Sequence, residues 1–108
     1  MATALAFRNI QPEAALALRP PPRVIDVREP DEFTGELGHL PGALLVPLGK
    51  LPASASEWNK AEPLLLVCRS GARSARAAEL LAQAGFEAVL NLEGGMIAVN
   101  AKKLPVER

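Results

Sequence analysis

The chain is poor in the residues that build cross-links and metal sites. Its 108 residues include one cysteine and one histidine. A lone cysteine excludes an internal disulfide and a Cys-x-x-Cys redox pair. One cysteine and one histidine also argue against a zinc site, so no metal is expected. Twelve basic residues balance twelve acidic ones, for a net charge of zero. That balance removes the case for a nucleic-acid partner or an anionic membrane surface. No apolar run approaches the roughly 20 residues of a membrane helix. Residues 1–7 are apolar but lack a basic n-region, and Arg8 ends the run too early for a signal peptide. The expected location is therefore the cytoplasm, where reducing conditions keep a lone thiol usable. No repeat or low-complexity stretch breaks the chain. With 49% apolar content it has room for one core, and a single domain over residues 1–108 is expected.

What the chain does have is concentrated in residues 64–74, Leu-Leu-Leu-Val-Cys-Arg-Ser-Gly-Ala-Arg-Ser. A short apolar run reads as a buried strand that delivers Cys68 into a small turn containing Gly71. Residues 75–84 read as the helix behind it, and Gly85 fits the position that ends helices. A thiol between a strand end and a helix N-terminus meets converging backbone N–H groups. Such a setting stabilises the thiolate, the nucleophilic form, below its free pKa of about 8.5. The arginines sharpen the point. A helix N-terminus disfavours cations, yet Arg69, Arg73 and Arg76 cluster here, with no acidic residue between Cys68 and Ala78. Breaches of a local rule tend to mark functional sites, and the simplest repair is an anion in the loop, either the thiolate or a substrate. The alternative is a small buried cysteine among arginines that reach out to solvent.

Elsewhere, short strands and helices alternate. Residues 7–10, 24–27, 43–46, 64–67 and 88–92 read as strands. Residues 12–18, 30–36 and 96–102 read as helices, and residues 48–60 as a mixed segment containing helix, with Trp58 covering core. The alternation implies an α/β sandwich around a parallel sheet. Ligand sites in such sheets form at the C-terminal ends of strands, where both Cys68 and the Asp26-Val27-Arg28 segment fall. Asp26 is expected to pair with Arg28 or with a loop arginine, and Asp26, Arg28 and Ser74 are read as supporting the loop. His39 sits in a Gly/Pro turn and reads as stabilising it, and Glu93 as part of a turn.

The segment around Cys68 resembles the active-site loop of the rhodanese (sulfurtransferase) family. Three further stretches carry the resemblance: Val24-Ile25-Asp26-Val27-Arg28-Glu29, Gly38-His39-Leu40-Pro41-Gly42-Ala43, and Gly94-Gly95 followed by Leu104-Pro105-Val106. They span almost the whole chain in the family's order. Two positions depart from it: Val99 stands where a tryptophan is common, and Lys103 where a glycine is frequent. Both lie away from the cysteine and bear on C-terminal packing.

The resemblance implies a three-layer α/β sandwich with a small central parallel sheet flanked by helices. It also implies that Cys68 is the catalytic nucleophile and that Arg69, Ser70, Gly71, Ala72 and Arg73 form the substrate-binding loop. Rhodaneses with six-residue loops, as here from Cys68 to Arg73, act on sulfur, whereas seven-residue relatives act on phosphate or arsenate. The implied reaction moves a sulfane sulfur from thiosulfate or a similar anionic donor to a thiophilic acceptor such as cyanide, a thiol or a carrier protein. It runs through a cysteine persulfide, with no cofactor, in a protein expected to be a monomer. A persulfide relay, a cysteine-dependent phosphatase or arsenate reductase, and a non-catalytic recognition module are the alternatives.

Overall fold

The structure is a computed structural model that describes residues 7–108. The apolar stretch weighed above as a leader lies largely outside them, at residues 1–6. Five strands form one parallel sheet: β1 (Arg8–Ile10), β2 (Arg23–Asp26), β3 (Leu44–Leu45), β4 (Leu64–Val67) and β5 (Val89–Leu92). Their spatial order is β1-β5-β4-β2-β3. The helices are α1 (Pro12–Ala17), α2 (Pro30–Phe33), α3 (Leu51–Ala55), α4 (Ala72–Gln83) and α5 (Gly95–Ala101), with a 3-10 turn at Leu48–Lys50.

The centre of the sheet follows from composition. Leu64, Leu65, Leu66 and Val67 have no polar side, so β4 is buried on both faces and sits in the middle, as continuous apolar parallel strands do. Successive side chains on a strand point to opposite faces, and this splits the core in two. Leu64 and Leu66 join Ile25, Val27, Leu51, Ala77, Ala78 and Leu81 beneath α3 and α4. Leu65 and Val67 join Ala15, Leu92, Met96 and Val99 beneath α1 and α5. Helices on both sheet faces make the three layers that the resemblance implies. Each fully buried leucine of β4 contributes about 1.5–3 kcal/mol relative to an exposed one. Val99, at the position where the family commonly has tryptophan, is fully buried in the second cluster.

Strand order places the site. The connection after β2 leads outward to β3, and the connection after β4 leads the other way to β5. The crevice between the C-terminal ends of β2 and β4 is thus a topological switch point, where α/β sheets hold ligands. Asp26 pairs in register with Val67, and the Val27 N–H donates to the Val67 carbonyl at 2.9 Å. The segments beginning at Val27 and Cys68 therefore leave the sheet side by side.

Several boundaries differ from the sequence reading. The cysteine-side helix begins at Ala72 rather than 75, because no Ser, Thr, Asp or Asn cap marks its start; Gly71 in the left-handed conformation (φ 103°) turns the chain into it instead. The helix read over residues 30–36 stops at Phe33, where Thr34 leaves helical geometry and a turn leads to Gly38. The strand read over 43–46 shortens to two residues.

Candidate active site around Cys68

Cys68 follows β4 directly and is almost fully buried, 1% exposed. Its Sγ accepts a hydrogen bond from the Gly71 N–H at 3.0 Å and from the Ser74 hydroxyl at 3.3 Å. Burial is the largest single influence on the thiol and pushes its pKa up. The Ser74 hydroxyl and the backbone N–H groups of Ser74, Gly71 and Ser70 oppose it, and together they bring the thiol below its ordinary value. Ser74 is the third residue of α4, so its N–H is one of the helix donors left without an intrahelical partner. The sulfur takes the place of an N-capping oxygen, and an anion there is favoured by the helix dipole.

The Gly94-Gly95 pair holds the loop from below. The N–H groups of Met96 and Ile97, in the first turn of α5, donate to the carbonyls of Cys68 and Arg69 at 2.9 and 3.0 Å. With those carbonyls drawn away, the loop's amides are left to face the sulfur. The approach is too close for a side chain: a Cβ on Gly95 would stand 2.5 Å from each of those carbonyl oxygens.

Asp26 and Arg28 are both buried and form a two-pronged ion pair, Nε to Oδ1 at 2.9 Å and Nη2 to Oδ2 at 2.7 Å. Of Arg28 and the loop arginines, all left open as partners for Asp26, the structure selects Arg28. The remaining guanidinium donors reach the Gly38 carbonyl at 2.7 Å and the Glu32 carbonyl at 3.1 Å. Arg28 thereby clamps β2, α2 and the Gly38 turn together, and its charge is satisfied, as a buried ion pair requires. His39 lies in that turn, stacked on the Phe33 ring at 3.7 Å, with Nδ1–H donating to the Phe33 carbonyl. These contacts occupy it within the turn. Glu93 accepts from Gln11 in the turn after β5.

Among the charged residues of the site, Glu32 escaped sequence reasoning. Glu32 of α2 receives two hydrogen bonds from Arg73, each 2.7 Å. The Arg73 hydrogen bonds lead the influences on Glu32; burial opposes them, and the Glu29 N–H and the charges of Arg73 and Arg28 assist, holding the carboxyl down at about 2. The expectation that an anion in the loop, the thiolate or a substrate, offsets the arginines is therefore corrected for Arg73, whose counter-charge comes from another element, 41 residues away in sequence. Arg69 and Arg76 are exposed, and among the described residues neither joins an ion pair. Arg69 borders an open cavity of about 280 Å³ whose walls include Arg28, Asp31, Glu32, Glu36 and Leu37. Ser70, next to Arg69 in the chain, is exposed, and Ala72 opens α4.

A thiol at a switch point, within a ring of amides and beside a guanidinium, is suited to covalent chemistry on a small anion. A family model for the rhodanese-like domain matches residues 11–102. The chain belongs to the rhodanese family. Among its rhodanese relatives, a protein of Allochromatium vinosum named sulfurtransferase is 41% identical over 83 residues, covering 77% of this chain and 76% of that protein. The thiosulfate sulfurtransferase GlpE of Pseudoalteromonas translucida is 30% identical over 99 residues, covering 90% and 92%. The crystal structure of a rhodanese-like domain protein from Staphylococcus aureus superposes with a TM-score of 0.77 at 31% identity, covering 94% of this chain and 99% of that one. Other curated relatives are longer; the chain spans 38% of a Bacillus subtilis protein named as a putative sulfur carrier protein. Among the described residues, no helix is long and apolar enough to cross a membrane.

Proposed function

We propose that this rhodanese moves a sulfane sulfur from thiosulfate, or a related anionic donor, to a thiophilic acceptor through a persulfide on Cys68. One observation carries the reading: a buried sulfur that accepts from the Gly71 N–H and the Ser74 hydroxyl at a helix N-terminus, with its pKa drawn down. The relative named thiosulfate sulfurtransferase supports the choice of donor. In the first step the Cys68 thiolate attacks the outer sulfur of thiosulfate. A new S–S bond forms to Cys68, and the donor's S–S bond breaks with its electron pair leaving on sulfite. The terminal sulfur of the persulfide carries the negative charge, and the loop amides stabilise it as they stabilise the thiolate. In the second step an acceptor such as cyanide, a thiol or a carrier protein takes that sulfur and the thiolate returns. Two half-reactions through a covalent intermediate give ping-pong kinetics.

The arginines divide the remaining work. Arg69, exposed at the mouth, draws in the donor. Arg73 spends its charge on Glu32 and ties α4 to α2. Asp26 and Arg28 hold the neighbouring strand end, and Ser74 donates to the sulfur.

The test is the intact mass of the protein before and after incubation with thiosulfate. The expected result is a gain of one sulfur atom, reversed by cyanide and absent in Cys68→Ser. No gain, with the protein folded and the thiol reduced, removes thiosulfate as donor. A persulfide that forms but transfers slowly to cyanide favours a relay to a partner protein.

A further inference from the structure

Asn91 is out of place. It lies on β5 two residues after Val89, so it faces the same side as Val89, toward the apolar cluster beneath α3 and α4. It is nevertheless 3% exposed, and its Oδ1 is buried with no hydrogen-bond partner. Leaving a buried acceptor unpaired is destabilising, because its hydration is lost and nothing replaces it. An apolar residue would avoid that cost, so a polar one at this position calls for a reason.

The reason lies on the amide nitrogen. Nδ2 donates to the Asn9 Oδ1 of β1 at 2.9 Å and to the Gly71 carbonyl at 3.3 Å. A backbone carbonyl only accepts, so the side-chain amide must meet Gly71 through its nitrogen, which leaves Oδ1 stranded. Gly71 is the hinge of the loop: its N–H donates to the Cys68 sulfur at 3.0 Å, its φ is 103°, and its carbonyl also receives the Ala75 N–H at 3.1 Å. No side chain of its own fixes its orientation. We infer that Asn91 is a positioning residue, which anchors the Gly71 carbonyl from β5 and so helps to aim the Gly71 N–H at the Cys68 sulfur. It rests on the reading of Cys68 as the reactive thiol.

The charged groups around the sulfur are accounted for separately. Arg69 and Arg73 come from its own loop and helix, Asp26 and Arg28 from the end of β2, and Glu32 from α2. β5 and α5 contribute no titratable side chain within Val89–Leu92 and Gly95–Ala101, and Glu93 between them pairs with Gln11. A substitution at Asn91 changes none of these charges.

The test is the pH dependence of Cys68 alkylation by iodoacetamide, which needs no sulfur donor and so stands apart from the thiosulfate experiment. Asn91→Val is expected to raise the pH midpoint by about 0.5–1 unit, a ~3–10-fold smaller thiolate fraction below the midpoint. Asn9→Ala, which leaves the Gly71 contact in place, is expected to keep the wild-type midpoint. A purely structural Asn91 would lower the melting temperature without moving the midpoint. A folded Asn91→Val protein that titrates as wild type overturns the inference, as does an equal shift in Asn9→Ala. Should the valine variant not fold, Asn91→Ala, which adds no bulk, is read by the same criterion.

Discussion

Replacing Gly95 with alanine tests how the cysteine loop is held. The new Cβ would stand 2.5 Å from the Cys68 and Arg69 carbonyl oxygens and 2.6 Å from the Arg69 carbonyl carbon. All three are backbone atoms and cannot rotate aside. Restoring an ordinary contact of 3.4 Å requires a retreat of about 0.9 Å (3.4 − 2.5). That retreat breaks or weakens two hydrogen bonds, Met96 N–H to Cys68 and Ile97 N–H to Arg69, worth about 1 kcal/mol each. Gly95 also has φ 57°, where a side chain costs roughly 1–2 kcal/mol. The sum is about 3–4 kcal/mol, a large share of a typical domain stability of 5–15 kcal/mol but not all of it. The loop displacement should also turn the amides away from the sulfur and raise the pH midpoint of Cys68 alkylation. Urea denaturation measures the first effect and iodoacetamide kinetics the second. A Gly95→Ala protein with the wild-type urea midpoint would refute the close-approach reasoning.

Lys103 sits at φ 55° after α5, where its N–H bonds the Asn100 carbonyl and the Leu104 N–H bonds that of Val99. This is a Schellman ending, which α4 makes with Gly85. Lys103→Gly should therefore stabilise the protein by about 1 kcal/mol, raising the melting temperature by roughly 4–8 °C; a lowered one would show that lysine contributes something more. Asp26→Ala leaves the Arg28 guanidinium buried without its carboxylate and should cost about 3–5 kcal/mol in chemical denaturation, whereas a loss under 1 kcal/mol would mean the pair is replaceable. Glu32 has its pKa depressed from 4.5 to about 2, so its pairing contributes fully above about pH 4.5 and is lost as pH falls through 2. Because the Arg73 side chain is 39% exposed, screening reduces the contribution to about 1 kcal/mol. Stability curves of wild type and Glu32→Gln should accordingly converge between pH 5 and 2, and a gap that stays constant would count against the pairing.

The parts that local pattern encodes were legible in the chain. Leu64–Val67 has no polar side and could only be a central strand, and the small and apolar residues of α4 recur at helical spacing. Glycine and proline punctuate the turns. With these in order, the sheet, its helices and the position of Cys68 at a strand end follow from residues close together in sequence. The start of α4 was misplaced because its cap is a sulfur and a left-handed glycine, neither of which belongs to the usual capping residues.

Charge partners were another matter. Asp26 had Arg28 and the loop arginines as candidates, and only the packing of β2 against the Gly38 turn chose Arg28. Glu32 and Arg73 are 41 residues apart, and Asn91 and Gly71 are 20 apart. No periodicity links such pairs. The sequence by itself determined the elements, the buried strands and the one thiol, because backbone propensity and the segregation of apolar from polar side chains act over a few residues. Which arginine is neutralised, which faces the mouth, and what holds Gly71 were decided only by tertiary structure. Ion pairs and side-chain hydrogen bonds act over a few ångströms of space, and the sheet order brings distant residues within that reach.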